Sequence, residues 1–97
     1  MKVRLADIVT DTYTNSSGYV LYNFLKDAIS KDEVIELSFL GASATSSSFL
    51  NSSFGNLIED MGLENFLASI KPKDLSPSQA HMLKHYIHAF KNGTTNA

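Results

Sequence analysis

The chain predicts an α/β fold, a small mixed β-sheet with helices packed on it, and three observations carry that reading. Short runs rich in β-branched or alternating apolar residues occur at three places, and the segments between them repeat their apolar residues at three- and four-residue steps. The two patterns alternate along most of the chain, as layered α/β domains require. With 97 residues and 43 % hydrophobic content there is material for one modest core, so residues 1–97 are expected to form a single domain ending in a frayed polar tail at 94–97.

From Lys2 to Val9 the apolar residues alternate loosely, through Val3, Leu5 and Ile8-Val9, which predicts a half-buried strand. The polar stretch from Thr10 to Ser17 is a connection, with room for a short paired extension around Thr12 to Thr14. Ser16 or Ser17 then caps a first helix over about 17–30, with Val20, Leu21, Phe24, Leu25, Ala28 and Ile29 on its apolar side. Lys31-Asp32-Glu33 is a charged turn. Val34 to Leu40 is short, β-branched and largely apolar, as expected of a central strand covered on both faces.

Gly41 to Ser48 is a run of small and hydroxyl-bearing residues suited to turns and helix starts. A second helix follows over about 47–61, with Leu50, Phe54, Leu57, Ile58 and Met61 on one face and Gly62 at a left-handed C-terminal position. The helical period resumes through Leu63, Phe66 and Leu67 and must stop near Ser69, because Pro72 cannot lie inside a helix. Ile70 to Leu75 is then extended, and Pro72, which lacks a donor, places it at a sheet edge. Ser76-Pro77-Ser78-Gln79 opens a third helix, with a Ser cap, Pro at the first helical position and Gln three residues after the cap. Ala80, Leu83, Ile87 and Phe90 share one face of it, and Gly93 ends it.

Composition excludes several function classes. A formal net charge of −2 supplies no excess of Lys or Arg for a phosphate backbone, so nucleic acid is not an expected partner. There is no cysteine, which removes disulfides and thiolate metal sites and fits a reducing compartment. Charges interrupt every apolar run near Met1, and no run approaches the length of a membrane span, so the expected location is cytoplasmic, with no membrane contact.

Few residues suggest catalysis. No Gly-x-Ser-x-Gly elbow and no phosphate-binding Gly-rich loop is present, and Glu59, Asp60 and Glu64 fit a solvated helix end better than a catalytic carboxylate pair. The expectation is a protein that is not an enzyme and needs no cofactor. His81, His85 and His88 are spaced four and three apart on one face of the third helix. Such a spacing can share a metal, but that helix has no acidic residue or Cys to complete a shell, so the stripe is taken as a solvated face without metal.

The most distinctive feature is the hydroxyl-rich turn Thr45-Ser46-Ser47-Ser48 before the second helix. Unpaired backbone N–H groups and the positive end of the helix dipole suit it to an anion or a phosphorylated hydroxyl. A plain cap accounts for the same residues, since nearly every helix start needs one.

The order Leu37-Ser38-Phe39-Leu40-Gly41-Ala42, then Thr45-Ser46-Ser47-Ser48-Phe49-Leu50-Asn51, then Phe54-Gly55 resembles the core of STAS-like domains, small relatives of the anti-sigma-factor antagonists. The resemblance extends from about Gly18 to Phe90. It implies a strand ending in a serine-containing turn that opens a helix, with a regulatory serine at Ser48 phosphorylated by a histidine-kinase-like ATPase. Three positions depart from the antagonist pattern: Ser38 and Ser46 stand where Asp residues would be, and Phe49 where Gly would be. The resemblance implies a non-catalytic regulatory module that binds a protein partner through Thr45, Ser46, Ser47, Ser48, Phe49 and Asn51. Two alternatives stay open, a structural or phage-encoded accessory protein that only oligomerises, as a homodimer for example, and a metal-responsive module using the three histidines.

Overall fold

The structure is a computed structural model that describes residues 1–31 and 33–91. Three strands, β1 (Lys2–Arg4), β2 (Ile35–Ser38) and β3 (Ile70–Lys73), pair in the order β1-β2-β3. Both pairings are parallel, so the sheet is parallel throughout rather than mixed, within the α/β class expected. The register sets Lys2, Glu36 and Lys71 in one row and Arg4, Ser38 and Lys73 in the next. β2 is central, and β3 with Pro72 is an edge.

Residues 5–8 depart from the expected strand. After Arg4 the chain turns into a short helix, α1 (Leu5–Ile8), whose Leu5 is fully buried. The spacing of Leu5, Ile8 and Val9 is three and four, the helical period, and only Val3 and Leu5 supported alternation. The connection that follows forms no strand pairing around 12–14.

Helix α2 (Asn15–Ile29) begins two residues before the position expected, and its cap is Thr14 rather than Ser16 or Ser17. Thr14 Oγ1 accepts from the Ser17 amide at 3.2 Å, while the Ser17 hydroxyl is buried and donates to Asp11 Oδ2 at 3.0 Å. Leu21, Leu25 and Ala28 fill the core, whereas Val20 and Phe24 are 50 % and 37 % exposed.

The second helical run occupies 47–61, as the apolar spacing predicts. It consists of α3 (Ser47–Leu50), a π-helical turn (Asn51–Gly55) and α4 (Asn56–Met61). The π turn brings Ser52, Ser53 and Phe54 together against α2, where the two backbones approach closely at Gly18. The buried Ser52 and Ser53 hydroxyls donate to the carbonyls of Ser48 and Phe49 one turn back. Gly62 follows with φ 85°, a backbone that side chains disfavour, and lets α5 (Leu63–Ser69) start in a new direction.

The last helix, α6 (Pro77–Lys91), opens with a complete capping box: Ser76 Oγ accepts from the Gln79 amide at 3.2 Å and Gln79 Oε1 accepts from the Ser76 amide at 2.9 Å. The expected end at Gly93, the tail 94–97 and Asp32 of the charged turn lie outside the described residues.

One face of the sheet holds the core. Ile35, Leu37 and Ile70 are buried there with Leu21, Leu25, Phe49, Phe54 and Phe66, and the Phe54 and Phe66 rings meet at 5.2 Å. Strands in sequential order with right-handed crossovers send every connecting helix to the same face. Among the described residues the other face is open: Lys2, Arg4, Lys71 and Lys73 are exposed, and β2, expected to be covered on both sides, is buried on one, with Glu36 and Ser38 only partly covered. Among the described residues no helix is long and apolar enough to cross a membrane.

Candidate functional site

The hydroxyl-rich turn is positioned by two polar clamps and a cap. Thr12, buried in the loop before α2, donates through Oγ1 to the carbonyls of Ser43 and Ala44, at 3.2 and 2.9 Å. Gln79 of α6, also buried, donates through Nε2 to the carbonyls of Ala42 and Ser43, both at 3.0 Å. The Ser46 amide donates to the Thr12 carbonyl at 3.1 Å. Residues 42–46 are thus tied on both sides, which fixes where the helix at 47 begins.

Ser46 is the cap. Its Oγ accepts from the Phe49 amide at 3.1 Å and donates to the Tyr13 carbonyl at 2.8 Å, so both capacities of the hydroxyl are used. This is the capping role an Asp would fill at the same position, which accounts physically for Ser replacing Asp in the resemblance. Ser47 and Ser48 occupy the first turn with exposed side chains. Asn51 is exposed, and its Oδ1 accepts from the Tyr86 hydroxyl at 2.7 Å. Thr45 and Phe49 point inward, at 6 % and 0 % exposure, so they offer a partner almost no surface. Of the six residues singled out in the sequence, Ser47, Ser48 and Asn51 present surface, Ser46 presents part of its own, and Thr45 and Phe49 support from beneath.

Asp11 organises the neighbouring loop. Its Oδ1 accepts from the amides of Tyr13 and Thr14 at 3.0 and 2.9 Å and from the Thr14 hydroxyl at 2.9 Å. These bonds, the one from the Tyr13 amide foremost, hold the carboxyl below its usual range despite the opposing effect of partial desolvation. Asn15, at the start of α2, accepts through Oδ1 from the Ser52 hydroxyl at 2.7 Å and so joins that loop to the π turn. The spacing Asp11, Thr14, Ser17 is a local capping signal that the sequence displays. The contacts of Thr12, Asn15 and Gln79 with the turn span more than thirty residues each and have no local signature.

Ser38 lies apart from this turn, at the C-terminal end of β2, and donates to Asp74 Oδ2 at 2.6 Å. A carboxylate from the end of β3 therefore meets the position where the antagonists carry Asp on the strand. Asp74 has φ 56°, a left-handed backbone that Asp tolerates better than most residues. The three histidines are exposed, with His81 and His85 rings stacked at 6.5 Å. Among the described residues, no group of three or more His, Cys, Asp or Glu side chains is placed to hold a metal ion.

Comparison with known proteins agrees with the fold. No curated protein and no solved structure matches the chain. The profile of the STAS-like domain of unknown function (DUF4325) matches residues 17–80, a span that runs from the start of α2 through the hydroxyl-rich turn and β3 into the first turn of α6. The chain belongs to that family of STAS-like domains.

Proposed function

We propose that this chain is a non-catalytic regulatory module that binds a protein partner through the exposed start of the helix at 47–61, with Ser48 as the position that switches it. The carrying observation is the rigid presentation of two exposed hydroxyls, Ser47 and Ser48, in the first turn of a helix whose cap and preceding loop are fully tied down. A phosphate there would meet the positive end of the helix dipole, so the domain would stay folded while its surface charge changed by nearly −2. Tyr13, 63 % exposed and joined to Ser46 through its carbonyl, supplies an aromatic neighbour of the kind that interfaces favour. By family analogy the partner is a histidine-kinase-like ATPase, an inference that rests on fold kinship.

The test is a titration of parent, Ser48→Asp and Ser48→Ala chains against kinase-like ATPases of the same genome, with mass spectrometry of the chain after incubation with ATP. The expected result is a phosphate at Ser48 and a changed affinity for Ser48→Asp with folding retained. Equal affinities for all three, with no phosphate at residues 45–48, would reduce the turn to a cap.

A further inference from the structure

Helix α6 is held differently from the other elements. Among the described residues it is the one element whose backbone runs close alongside no other helix or strand, and side chains reach across to hold it. α2, of the same fifteen residues, buries five of them and touches the π turn at Gly18, whereas α6 buries two, Gln79 and Leu83. Tyr86, Ile87 and Phe90 pack on the core only in part.

The tethers of α6 converge on the candidate site. Gln79 Nε2 holds the carbonyls of Ala42 and Ser43, just before the hydroxyl-rich turn, and the Tyr86 hydroxyl holds Asn51, one helical turn after Ser47. Ser43 and Asn51 are exposed, so water can replace the donors that α6 gives them. The rest of the fold does not depend on α6: the pairings of β2 with β1 and with β3 involve none of its residues. Its capping box, between Ser76 and Gln79, is internal, so the helix keeps its own start wherever it lies.

We infer that α6 is a strap that sets the state of the turn. Docked, it fixes residues 42–46 and Asn51. Lifted as a helix about the link from Asp74 to Ser76, where Asp74 already has a left-handed backbone, it releases both while the sheet and α2 stay folded. The strap rests on the reading of the turn as a binding site and supplies its control, because whatever lifts α6 slackens the loop that presents Ser47 and Ser48.

Native-state hydrogen exchange tests it at the Ala42 and Ser46 amides, which donate to the carbonyls of Phe39 and Thr12. Phe90 stands about 16 Å of helix beyond Gln79, too far to touch the loop that Gln79 holds. Phe90→Ala should nevertheless speed exchange at Ala42 and Ser46 at least about fivefold, by loosening the far end of the strap. Phe90→Leu, the milder variant, should speed it less. Ala28→Gly weakens α2 instead, and should speed exchange at Leu25 about fivefold while Ala42 and Ser46 keep the parent rate. In the parent, the two loop amides should depend less steeply on urea than Leu25, since lifting a strap exposes less surface than unfolding the domain. Parent rates at Ala42 and Ser46 in both Phe90 variants would overturn the inference. So would equal acceleration of these amides and Leu25 by Ala28→Gly, or equal urea slopes, either of which makes α6 part of a single global unit. Every readout is an exchange rate of the free chain, so the strap can fail while phosphorylation at Ser48 stands, and the reverse.

Discussion

The Tyr86 hydroxyl donates to Asn51 Oδ1 at 2.7 Å beside Gly55, where a Cβ would lie 2.5 Å from the Tyr86 hydroxyl oxygen. The hydrogen bond and the missing side chain are two halves of one contact, and it fastens α6 to the π turn. It adds to the docking that the buried Gln79 and Leu83 and the partly buried Ile87 and Phe90 give that helix.

Tyr86→Phe should cost about 1 kcal/mol, the usual net worth of one hydrogen bond. Gly55→Ala should cost a similar amount in the parent by pushing the hydroxyl aside. In the Tyr86→Phe background the oxygen is gone and the next atoms, Leu50 O and Tyr86 Cζ, lie at ordinary contact distances of 3.5 and 3.8 Å. There Gly55→Ala should stabilise the protein by up to about 1 kcal/mol through helix propensity. A double-mutant cycle by urea unfolding reads the change of sign, and additive costs would break the pairing.

Burial first, and then the charge of Glu59, push the Tyr86 hydroxyl up to about 12 from its ordinary 10.0. A raised pKa in the folded state means that the neutral phenol is favoured by folding, so its stabilising effect is complete below pH 10 and is lost as the pH climbs through 12. The parent should therefore lose stability across that window more steeply than Tyr86→Phe. Denaturant midpoints measured at intervals through it make the comparison, and parallel curves would argue against a buried neutral phenol.

Gly18→Ala is expected to be the most damaging single methyl in the chain. The added carbon would stand 2.5 Å from Ser52 Cβ and 2.8 Å from the Phe49 carbonyl oxygen, which forces α2 away from the π turn. The cost should be about 1–3 kcal/mol, as for other overpacked sites. Thermal unfolding by circular dichroism measures it. A loss below a few tenths would mean that the two helices separate freely.

Gln79→Ala should cost more than Ser76→Ala. Loss of the Ser76 hydroxyl removes one cap bond, worth about 1 kcal/mol. Loss of the Gln79 amide removes its half of the capping box and leaves the carbonyls of Ala42 and Ser43 without that donor, for about 2 kcal/mol in all. Hydrogen exchange should also rise at residues 42–46 in Gln79→Ala and stay at the parent level in Ser76→Ala.

Features encoded within one turn of chain were legible in the sequence. The helix over 47–61, the Ser76 cap and the edge position implied by Pro72 all follow from spacing and local chemistry, and the structure has them. Leu5 to Val9 misled because five residues cannot separate a two-residue from a four-residue period. The bare face was partly written in Ile35-Glu36-Leu37-Ser38, which alternates, but Phe39-Leu40 extended the run into what looked like a doubly buried strand. The candidate turn was visible as a cluster of hydroxyls. The separation of its exposed Ser47 and Ser48 from buried Thr45 and Phe49 was not, because it depends on the distant anchors Thr12 and Gln79.

The family match begins at residue 17, beyond β1, yet β1 is one of only two neighbours of the central strand. A chain trimmed to residues 17–80 would strip β2 of Lys2–Arg4 and of the bond from the Glu36 amide to the Met1 carbonyl. It would expose Val34 to Leu40, β-rich and carrying a single charge, as an open template for intermolecular strand addition. In the whole chain both outer edges are defended, one by the charges of Lys2 and Arg4 and the other by the missing donor of Pro72. Lys2, Val3 and Arg4 thus guard the central strand against aggregation, and a chain that lacks residues 1–4 but keeps the buried Leu5 should precipitate where the full chain stays dispersed.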